Sequence, residues 1–260
     1  MRILKYPKWN LKPLILAHFL VLFLVSTLFY PPTYKILWKG LDEGFFTLLK
    51  AMIDNSPFWQ NFWAMANHRV ADLVEDVFFL IFFLWLLKTT PKGEKLKKAA
   101  EFISLALLTA AVIIFINNLL FKQLVHIKRF SPSYILDHFP RLSEQVSWIK
   151  VKDRSKMSFP SDHGTTAVLF VADFLFLSRN RLLTICVCLY GAFLCCPRMI
   201  AGAHWITDIL LGSASLVLLV FSWTFCTPFG NYVIQKIYQL FLFIATLAKK
   251  VKKTKRATIG

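Results

Sequence analysis

Three short groups of polar residues interrupt an apolar chain of 260 residues, and their side chains are of the types that bind and transfer phosphoryl groups. In chain order, the groups are Lys122 with Arg129; Ser161, Asp162 and His163; and Arg198, His204 and Asp208. Cations bind the equatorial oxygens of a phosphoryl group, one histidine can attack phosphorus, and another can protonate the leaving oxygen. The sequence shows no acidic cluster for Mg²⁺ or Zn²⁺, so we expect neither a metal nor another cofactor.

The third group, PRMIAGAHWITDIL at residues 197–210, gives the strongest indication of catalysis. If this stretch is helical, His204 and Asp208 lie one turn apart on the same face. An ionisable residue inside an apolar span is costly and is usually functional. A carboxylate beside an imidazole fixes its tautomer and supports a positive charge on it, which predicts a nucleophile or a base. A buried structural His–Asp pair is the alternative.

The first group, KQLVHIKRFSP at residues 122–132, places Lys122 and Arg129 seven residues apart. Seven residues make two helical turns, so both cations can lie on one face if the preceding helix extends this far. Such a pair could bind a phosphate. It could also be an ordinary pair of long side chains that extend to the membrane interface.

The second group, FPSDHG at residues 159–164, has the pattern of a helix start. Pro160 suits the first turn, and Ser161 or Asp162 can cap the helix. The free N–H groups of a helix start also bind anions. A cap alone explains the serine and the aspartate, but it leaves His163 unexplained.

Long apolar runs must position these groups. Hydrophobic residues make up 57% of the chain and charged residues only 17%, against about 25% charged in soluble domains. We therefore predict an all-α, polytopic membrane bundle with about six transmembrane helices, because lipid offers no partner to unpaired backbone groups. The predicted spans are Leu14–Tyr30, Val70–Leu87, Phe102–Phe121, Thr165–Leu177, Leu182–Cys196 and Trp205–Phe225. Residues 229–248 are predicted to be interfacial, and 31–69 and 131–157 to be long irregular segments.

The distribution of basic residues predicts the orientation in the membrane. Lysine and arginine concentrate at the start of the chain, in 88–101, in 178–181 and in the tail, so we expect both termini in the cytoplasm. All three polar groups then lie on the opposite face. The net charge of +17 argues for topology and for contact with anionic lipid, and not for nucleic acid, because no basic-aromatic module is present. Further cations on the opposite face indicate an anionic substrate; they are Arg141, Lys150, Lys152, Arg154 and Lys156.

The order and spacing of the three groups resemble the three signature motifs of the type-2 phosphatidic acid phosphatase superfamily. The resemblance covers about residues 115–215 and implies a metal-independent phosphohistidine mechanism. It implies that His204 is the nucleophile, that Asp208 orients it, and that His163 is the general acid. The residues implied to bind phosphate are Lys122, Arg129, Ser161 and Arg198.

Three positions depart from the usual motifs: Phe130 replaces a proline, Asp162 a glycine, and Pro197 a serine. A carboxylate at Asp162 would repel a phosphate dianion unless it is paired or turned away. Within the superfamily, the motifs are most similar to those of bacterial lipid A 1-diphosphate synthases. The likeness extends to NHRVAD at residues 67–72, which makes Asn67 and Arg69, together with Asp162, possible substrate contacts; capping of the second span is the alternative for NHRVAD.

The resemblance implies a bacterial inner-membrane phosphotransferase with its site facing the periplasm. It would move a phosphate from undecaprenyl diphosphate onto the lipid A 1-phosphate. An undecaprenyl diphosphate phosphatase, or another lipid phosphate phosphatase, would use the same site with water as acceptor. A non-catalytic transporter or scaffold is the alternative from another class. We expect an N-terminal membrane region at 1–99, the catalytic core at 100–228, and an interfacial segment with a basic tail at 229–260.

Overall fold

The computed structural model describes the backbone of residues 9–259 and the side chains of residues 9–251. Within this range the protein is helical and has no β-strand, as predicted. The predicted basic start at Arg2, Lys5 and Lys8 lies outside the described residues. The helices are α1 (Leu11–Phe29), α2 (Pro31–Leu37), α3 (Lys39–Ile53), α4 (Pro57–Ala66), α5 (Arg69–Thr89), α6 (Lys95–Ala111), α7 (Pro132–Ile135), α8 (Leu142–Gln145), α9 (Asp162–Leu177), α10 (Arg181–Ile200), α11 (Ala214–Cys226) and α12 (Pro228–Ile259). Two π-helical segments, Val112–Val125 and Asp208–Ser213, extend α6 and precede α11.

In the described part of the chain, four helical stretches are long and apolar enough to cross a membrane: Leu11–Phe29, Lys92–Val125, Arg181–Ile200 and Asp208–Cys226. The other two predicted spans correspond to α5, which carries three acidic residues in its first half, and to α9, which has only 16 residues. A membrane-spanning helical bundle is therefore supported, and a count of six spans stays a prediction.

Residues 31–69 are helical, so the prediction of an irregular segment there was wrong. The helices α2, α3 and α4 fill most of it. Local capping explains two of their starts. Pro31 and Pro57 occupy first-turn positions, where a missing N–H costs nothing, and the Ser56 hydroxyl accepts a hydrogen bond from the Trp59 N–H at 3.4 Å. These short helices lie over the end of the bundle that carries the polar groups.

The helix α9 begins at Asp162, two residues after Pro160. Ser161 is the N-cap, and its Oγ accepts a hydrogen bond from the Gly164 N–H at 3.1 Å. Pro160 precedes the cap, so its predicted place in the first turn was wrong. Gly164 allows close packing, because a Cβ there would lie 2.9 Å from both Ile209 Cγ1 and Ser213 Oγ. The second polar group is thereby fixed against the third.

The extension of α6 ends at Val125, and His126 takes a left-handed conformation with φ of 55°. The predicted single helical face for Lys122 and Arg129 was therefore wrong. Arg129 instead lies in an extended segment beside residues 155–158, where its carbonyl accepts from the Ser158 N–H at 2.9 Å. The turn brings the Arg129 side chain back toward the start of the last spanning helix.

The two largest of the four apolar clusters among the described residues join most of the helices. The cluster nearest the polar groups joins α3, α8, α9 and α10 through Leu49, Leu142, Ala167 and Leu194. The other cluster joins α5, α6, α9, α10 and α12, and is rich in phenylalanine rings that include Phe82, Phe102, Phe170 and Phe174. The α9–α10 pair takes part in both clusters and so gives the site a rigid base.

Residues 229–248 belong to the long helix α12, which packs against α6 and α11. Ile234 is buried in the phenylalanine-rich cluster, so the first part of α12 belongs to the bundle. The predicted interfacial position of this segment relative to a membrane stays a prediction.

Candidate active site

The three polar groups meet at one end of the bundle. The starts of α9 and of the Asp208–Ser213 segment lie beside the ends of α10 and of the α6 extension. Direct contacts connect the groups: Lys122 pairs with Asp162, His163 contacts Arg198, and Arg129 pairs with Asp208. Residues separated by up to 79 positions in the chain are thus assembled into one polar cluster.

His204 is buried and lies in a bend just before the last spanning helix, which begins at Ile206. The predicted helical face shared with Asp208 was therefore wrong, although the two side chains still meet, with His204 Nδ1 3.5 Å from Asp208 Oδ2. A closer partner is the Ser158 carbonyl, 2.7 Å from the same nitrogen. A carbonyl can only accept, so Nδ1 carries the proton and Nε2 keeps its lone pair. This tautomer is the one that a nucleophile requires.

Asp208 and Asp42 together hold the guanidinium of Arg129. One nitrogen of Arg129 pairs with Asp208, and the other donates to Asp42 Oδ2 at 2.7 Å and to Thr207 Oγ1 at 2.8 Å. Asp208 Oδ2 also accepts from the Trp205 N–H at 2.8 Å. Three of the five N–H groups of Arg129 are thus occupied, which leaves two for a ligand.

Asp42 is almost fully buried and accepts three hydrogen bonds besides the one from Arg129. They come from the Thr207 N–H at 3.1 Å, the Thr207 hydroxyl at 2.8 Å and the Tyr34 hydroxyl at 3.2 Å. Burial raises the pKa of Asp42, and the charge of Arg129 and the bonds from Thr207 limit that rise. Burial acts to lower the pKa of Arg129, but the charges of Asp208 and Asp42 outweigh it and raise that pKa. The cation therefore stays charged in a buried place.

Asp162 is paired, which answers the question raised by a carboxylate in the second motif. Its two oxygens accept from Lys122 Nζ and from the buried Asn117 amide, the latter at 3.1 Å. Asn117 also donates, at 3.3 Å, to Thr165, which lies on the same helix as Asp162. Because Asp162 neutralises Lys122, a phosphate at this position must take Lys122 away from it.

His163 lies between a cation and an anion. Its Nε2 is 3.3 Å from a guanidinium nitrogen of Arg198 and 3.6 Å from Asp72 Oδ1. Burial, and then the charge of Arg198, lowers the pKa of His163 to about 4, and the carboxylate of Asp72 opposes that shift. A general acid must hold its proton until the leaving group departs, so Asp72 is the neighbour that favours the role implied for His163.

Asn67 is buried and positions other groups. Its carbonyl oxygen accepts from Arg198 at 3.0 Å and from the Lys152 N–H at 2.9 Å, and its amide donates to the Pro197 carbonyl at 3.2 Å. These bonds connect the end of α4 to α10 and to the loop at residue 152. A scaffold role fits Asn67 better than a substrate contact, whereas the exposed Arg69 remains a candidate for one.

A basic cleft of about 640 Å³ opens beside Arg198 and is bounded by residues 67–69, 141 and 150–154. We define the basic cleft by its cations, which are Arg69, Arg141, Lys150, Lys152, Arg154 and Arg198. Desolvation first, and then the charges of Arg198 and Lys122, lowers the pKa of Lys152. Lys152 in the cleft therefore lies close enough to Arg198 and Lys122 of the motifs for their charges to interact.

Four residues of the site were not found by sequence reasoning: Asp42, Asp72, Asn117 and Thr207. Asn117 gave a usable signal, since a buried amide in a spanning helix is expensive without a partner. Asp72 stands in the NHRVAD stretch that drew attention to Asn67 and Arg69. Asp42 gave no signal, because nothing in its segment resembles a motif.

We expect Asp72→Asn to move the alkaline limb of the pH–rate profile to lower pH. The carboxylate favours protonated His163, and its loss lets the proton leave sooner, so activity at neutral pH should fall by about threefold to tenfold. The pH dependence of kcat/KM measures this effect. Asp76→Asn, one turn further along α5, is the matched control. Equal profiles for the two variants would remove Asp72 from the mechanism.

Among the residues that the structure describes, no group of three or more His, Cys, Asp or Glu side chains is arranged to hold a metal ion. Two carboxylates of the site face cations, in the pairs of Asp208 with Arg129 and Asp162 with Lys122. This donor set is suited to binding an anion through side-chain cations.

The sequence matches the family model of the PAP2 superfamily over residues 100–235. It is also 28% identical over 229 residues to the lipid A 1-diphosphate synthase of Escherichia coli (strain K12), a match that covers 86% of this chain and 92% of that protein. No solved structure matches the chain. Since the family model covers more than half of the sequence, the protein belongs to the PAP2 superfamily and is an enzyme of its lipid phosphatase and phosphotransferase type.

Proposed function

We propose that this protein transfers a phosphoryl group from undecaprenyl diphosphate to the 1-phosphate of lipid A through a phosphohistidine at His204. The observation that carries the proposal is the 2.7 Å contact of His204 Nδ1 with the Ser158 carbonyl, which in the neutral imidazole leaves the Nε2 lone pair free to attack. The similarity to a lipid A 1-diphosphate synthase supports the choice of acceptor, and the donor is the one that the resemblance of the motifs implies.

In the first step, the Nε2 lone pair of His204 attacks the terminal phosphorus of the donor. A P–N bond forms, the P–O bond to the bridging oxygen breaks, and the electron pair leaves with undecaprenyl phosphate. His163 supplies the proton that this leaving group takes up. The Ser158 carbonyl, with Asp208 behind it, stabilises the positive charge that develops on the imidazole.

In the second step, an oxygen of the acceptor phosphate attacks the phosphorus held on His204. A P–O bond forms, the P–N bond breaks, and its electron pair returns to Nε2. The product is a diphosphate on the acceptor lipid. The attacking oxygen comes from a P–OH group of the acceptor phosphate and gives its proton to His163, which restores the enzyme to its starting state.

The phosphoryl oxygens are bound by cations that the fold holds in place. Arg198 is fixed by Asn67, and Arg129 is fixed by Asp42 and Asp208, so neither must be ordered when the substrate arrives. Lys122 exchanges Asp162 for the phosphate, and Ser161 starts the helix whose free N–H groups face the anion. These roles follow the motif residues one by one.

We also propose the location of the reaction. The asymmetry of basic residues favours cytoplasmic termini and a catalytic end in the periplasm of a bacterial inner membrane. The catalytic core then spans residues 100–228, between an N-terminal membrane region and the basic tail.

The first test uses purified full-length protein in detergent and undecaprenyl diphosphate labelled in its terminal phosphate, with and without lipid A. The proposal expects the label on lipid A. Label found only as free phosphate in both reactions would replace the proposal with a phosphatase that uses water as acceptor. Unchanged donor in both would remove this donor from the proposal.

We expect turnover to persist in excess EDTA, because the cations of the site balance the charge of the phosphoryl group. Transfer of the label is measured before and after dialysis against the chelator, and rates should agree within about twofold. Loss of activity that a divalent ion restores would show that charge compensation has another source.

A further inference from the structure

An apolar groove of about 590 Å³ lies between α4, α5, α10 and the segment around residue 148. We define the apolar groove by six of its lining side chains, which are Phe62, Met65, Val74, Phe78, Trp148 and Phe193. Five of these side chains are exposed: Met65, Val74, Phe78, Trp148 and Phe193. Its wall is almost entirely hydrocarbon, which is suited to a lipid chain.

The apolar groove adjoins the basic cleft. His68 lines both, and the consecutive residues Pro197 and Arg198 line the groove and the cleft respectively. A molecule with an anionic head and a hydrocarbon chain can therefore occupy both at once. Arg198 contacts His163, so the anionic head of such a molecule would lie next to the side chain that moves the proton.

The size and charge of the basic cleft indicate which lipid it takes. Its volume of about 640 Å³ falls within the ~300–1,000 Å³ range of sites for whole small molecules and exceeds the needs of one phosphate. The side chains of Lys150 and Lys152 have no ion-pair or hydrogen-bond partner among the described contacts, and they remain available for an anion. A polyprenyl diphosphate has no headgroup beyond its two phosphates, which must reach the motif residues, so it leaves these cations unused.

We propose that the basic cleft and the apolar groove together form the acceptor-lipid site, with a phosphorylated sugar headgroup in the cleft and one acyl chain in the groove. This inference rests on the proposed phosphotransfer, because only a second lipid needs such a site. In this site, Val74 and Phe78 contact the acyl chain of the lipid, and Lys150 and Lys152 bind its headgroup.

The groove is tested with Val74→Trp, which fills it, against Val77→Trp as matched control. Both valines lie on α5 and are similarly exposed, at 52% and 55%, but only Val74 lines the groove. Two rates are measured for each variant with labelled undecaprenyl diphosphate: formation of the phosphoenzyme without acceptor, and transfer to lipid A. We expect Val74→Trp to lower kcat/KM for lipid A by about tenfold and to leave phosphoenzyme formation within about twofold of the wild type.

The cleft is tested with the double variant Lys150→Gln, Lys152→Gln against Lys128→Gln. Lys128 is exposed and lies near the same end of the bundle but does not line the cleft. The double variant should raise KM for lipid A by about fivefold to tenfold and should flatten its dependence on salt, because screened charges supply the binding. Lys128→Gln should match the wild type in both half-reactions.

The outcomes separate this inference from the proposed function. If wild-type protein moves label to lipid A and Val74→Trp slows phosphoenzyme formation as much as transfer, the groove holds the donor chain and the inference is wrong. It is equally wrong if Val74→Trp and the double variant transfer at wild-type rates. If wild-type protein releases only free phosphate, the proposed phosphotransfer fails, and the acceptor site fails with it.

Discussion

Replacement of His204 with alanine is expected to abolish turnover and any trapped phosphoenzyme. The buried imidazole has its tautomer fixed by the Ser158 carbonyl, which in the neutral ring leaves Nε2 with the lone pair that a nucleophile needs. Loss of a nucleophile removes the covalent path, so kcat should fall by at least about 10⁴-fold.

The measurement is a rapid-quench search for acid-labile label on the protein after mixing with labelled undecaprenyl diphosphate. His138→Ala is the matched control, because His138 is an exposed histidine of the 131–157 segment that packs only on Phe139. Wild-type turnover by His204→Ala would refute the assignment of the nucleophile.

Replacement of Asp42 with alanine is expected to have the second largest effect, on stability and activity together. The change leaves the Thr207 N–H and hydroxyl and one side of Arg129 without their buried acceptor. Breaking a buried ion pair that is also hydrogen-bonded costs about 3–5 kcal/mol. Arg129 then has Asp208 as its remaining carboxylate partner. Because its guanidinium is displaced from the place where it binds the phosphoryl group, kcat/KM should fall by about 100-fold.

Thermal unfolding in detergent and kcat/KM are measured on the same preparations. Asp42→Asn should lose less than Asp42→Ala, because the amide keeps one acceptor oxygen. Glu43→Ala is the control: the neighbouring glutamate is exposed and forms one ion pair, with Lys39 at 3.7 Å. If Asp42→Ala is as stable and as active as Glu43→Ala, the hydrogen bonds and ion pairs around Arg129 contribute little to stability or to activity.

The sequence predicted the residues of the site better than it predicted their contacts. His204 and Asp208 meet, as expected from their spacing, but through a bend before the helix, because Asp208 caps the Trp205 N–H. Spacing could not show that the Ser158 carbonyl is closer to His204, since that contact crosses 46 positions in the chain. Asp42 reaches Thr207 from 165 positions away, and no local pattern announces a contact of that kind.

The fold was predicted from apolar runs, which identify buried or lipid-facing helices wherever few charges interrupt them. Val70–Leu87 and Leu182–Cys196 correspond closely to α5 and α10. The same reasoning missed α2, α3 and α4, whose residues are mixed in polarity because these helices lie on the end of the bundle and bury only one side. The turn at His126 was missed because a left-handed residue depends on the tertiary path of the chain.

The pairing of Lys122 with Asp162 makes every arriving phosphate compete with a carboxylate that is already bound. The free energy gained on binding is then the difference between two ion pairs. A phosphodiester carries one negative charge and gains little from this exchange, whereas a terminal phosphate with two charges gains more, because Coulomb attraction scales with charge. The carboxylate therefore sets a charge threshold. We expect it to disfavour the phosphodiester lipids of a bilayer relative to lipids that end in a free phosphate.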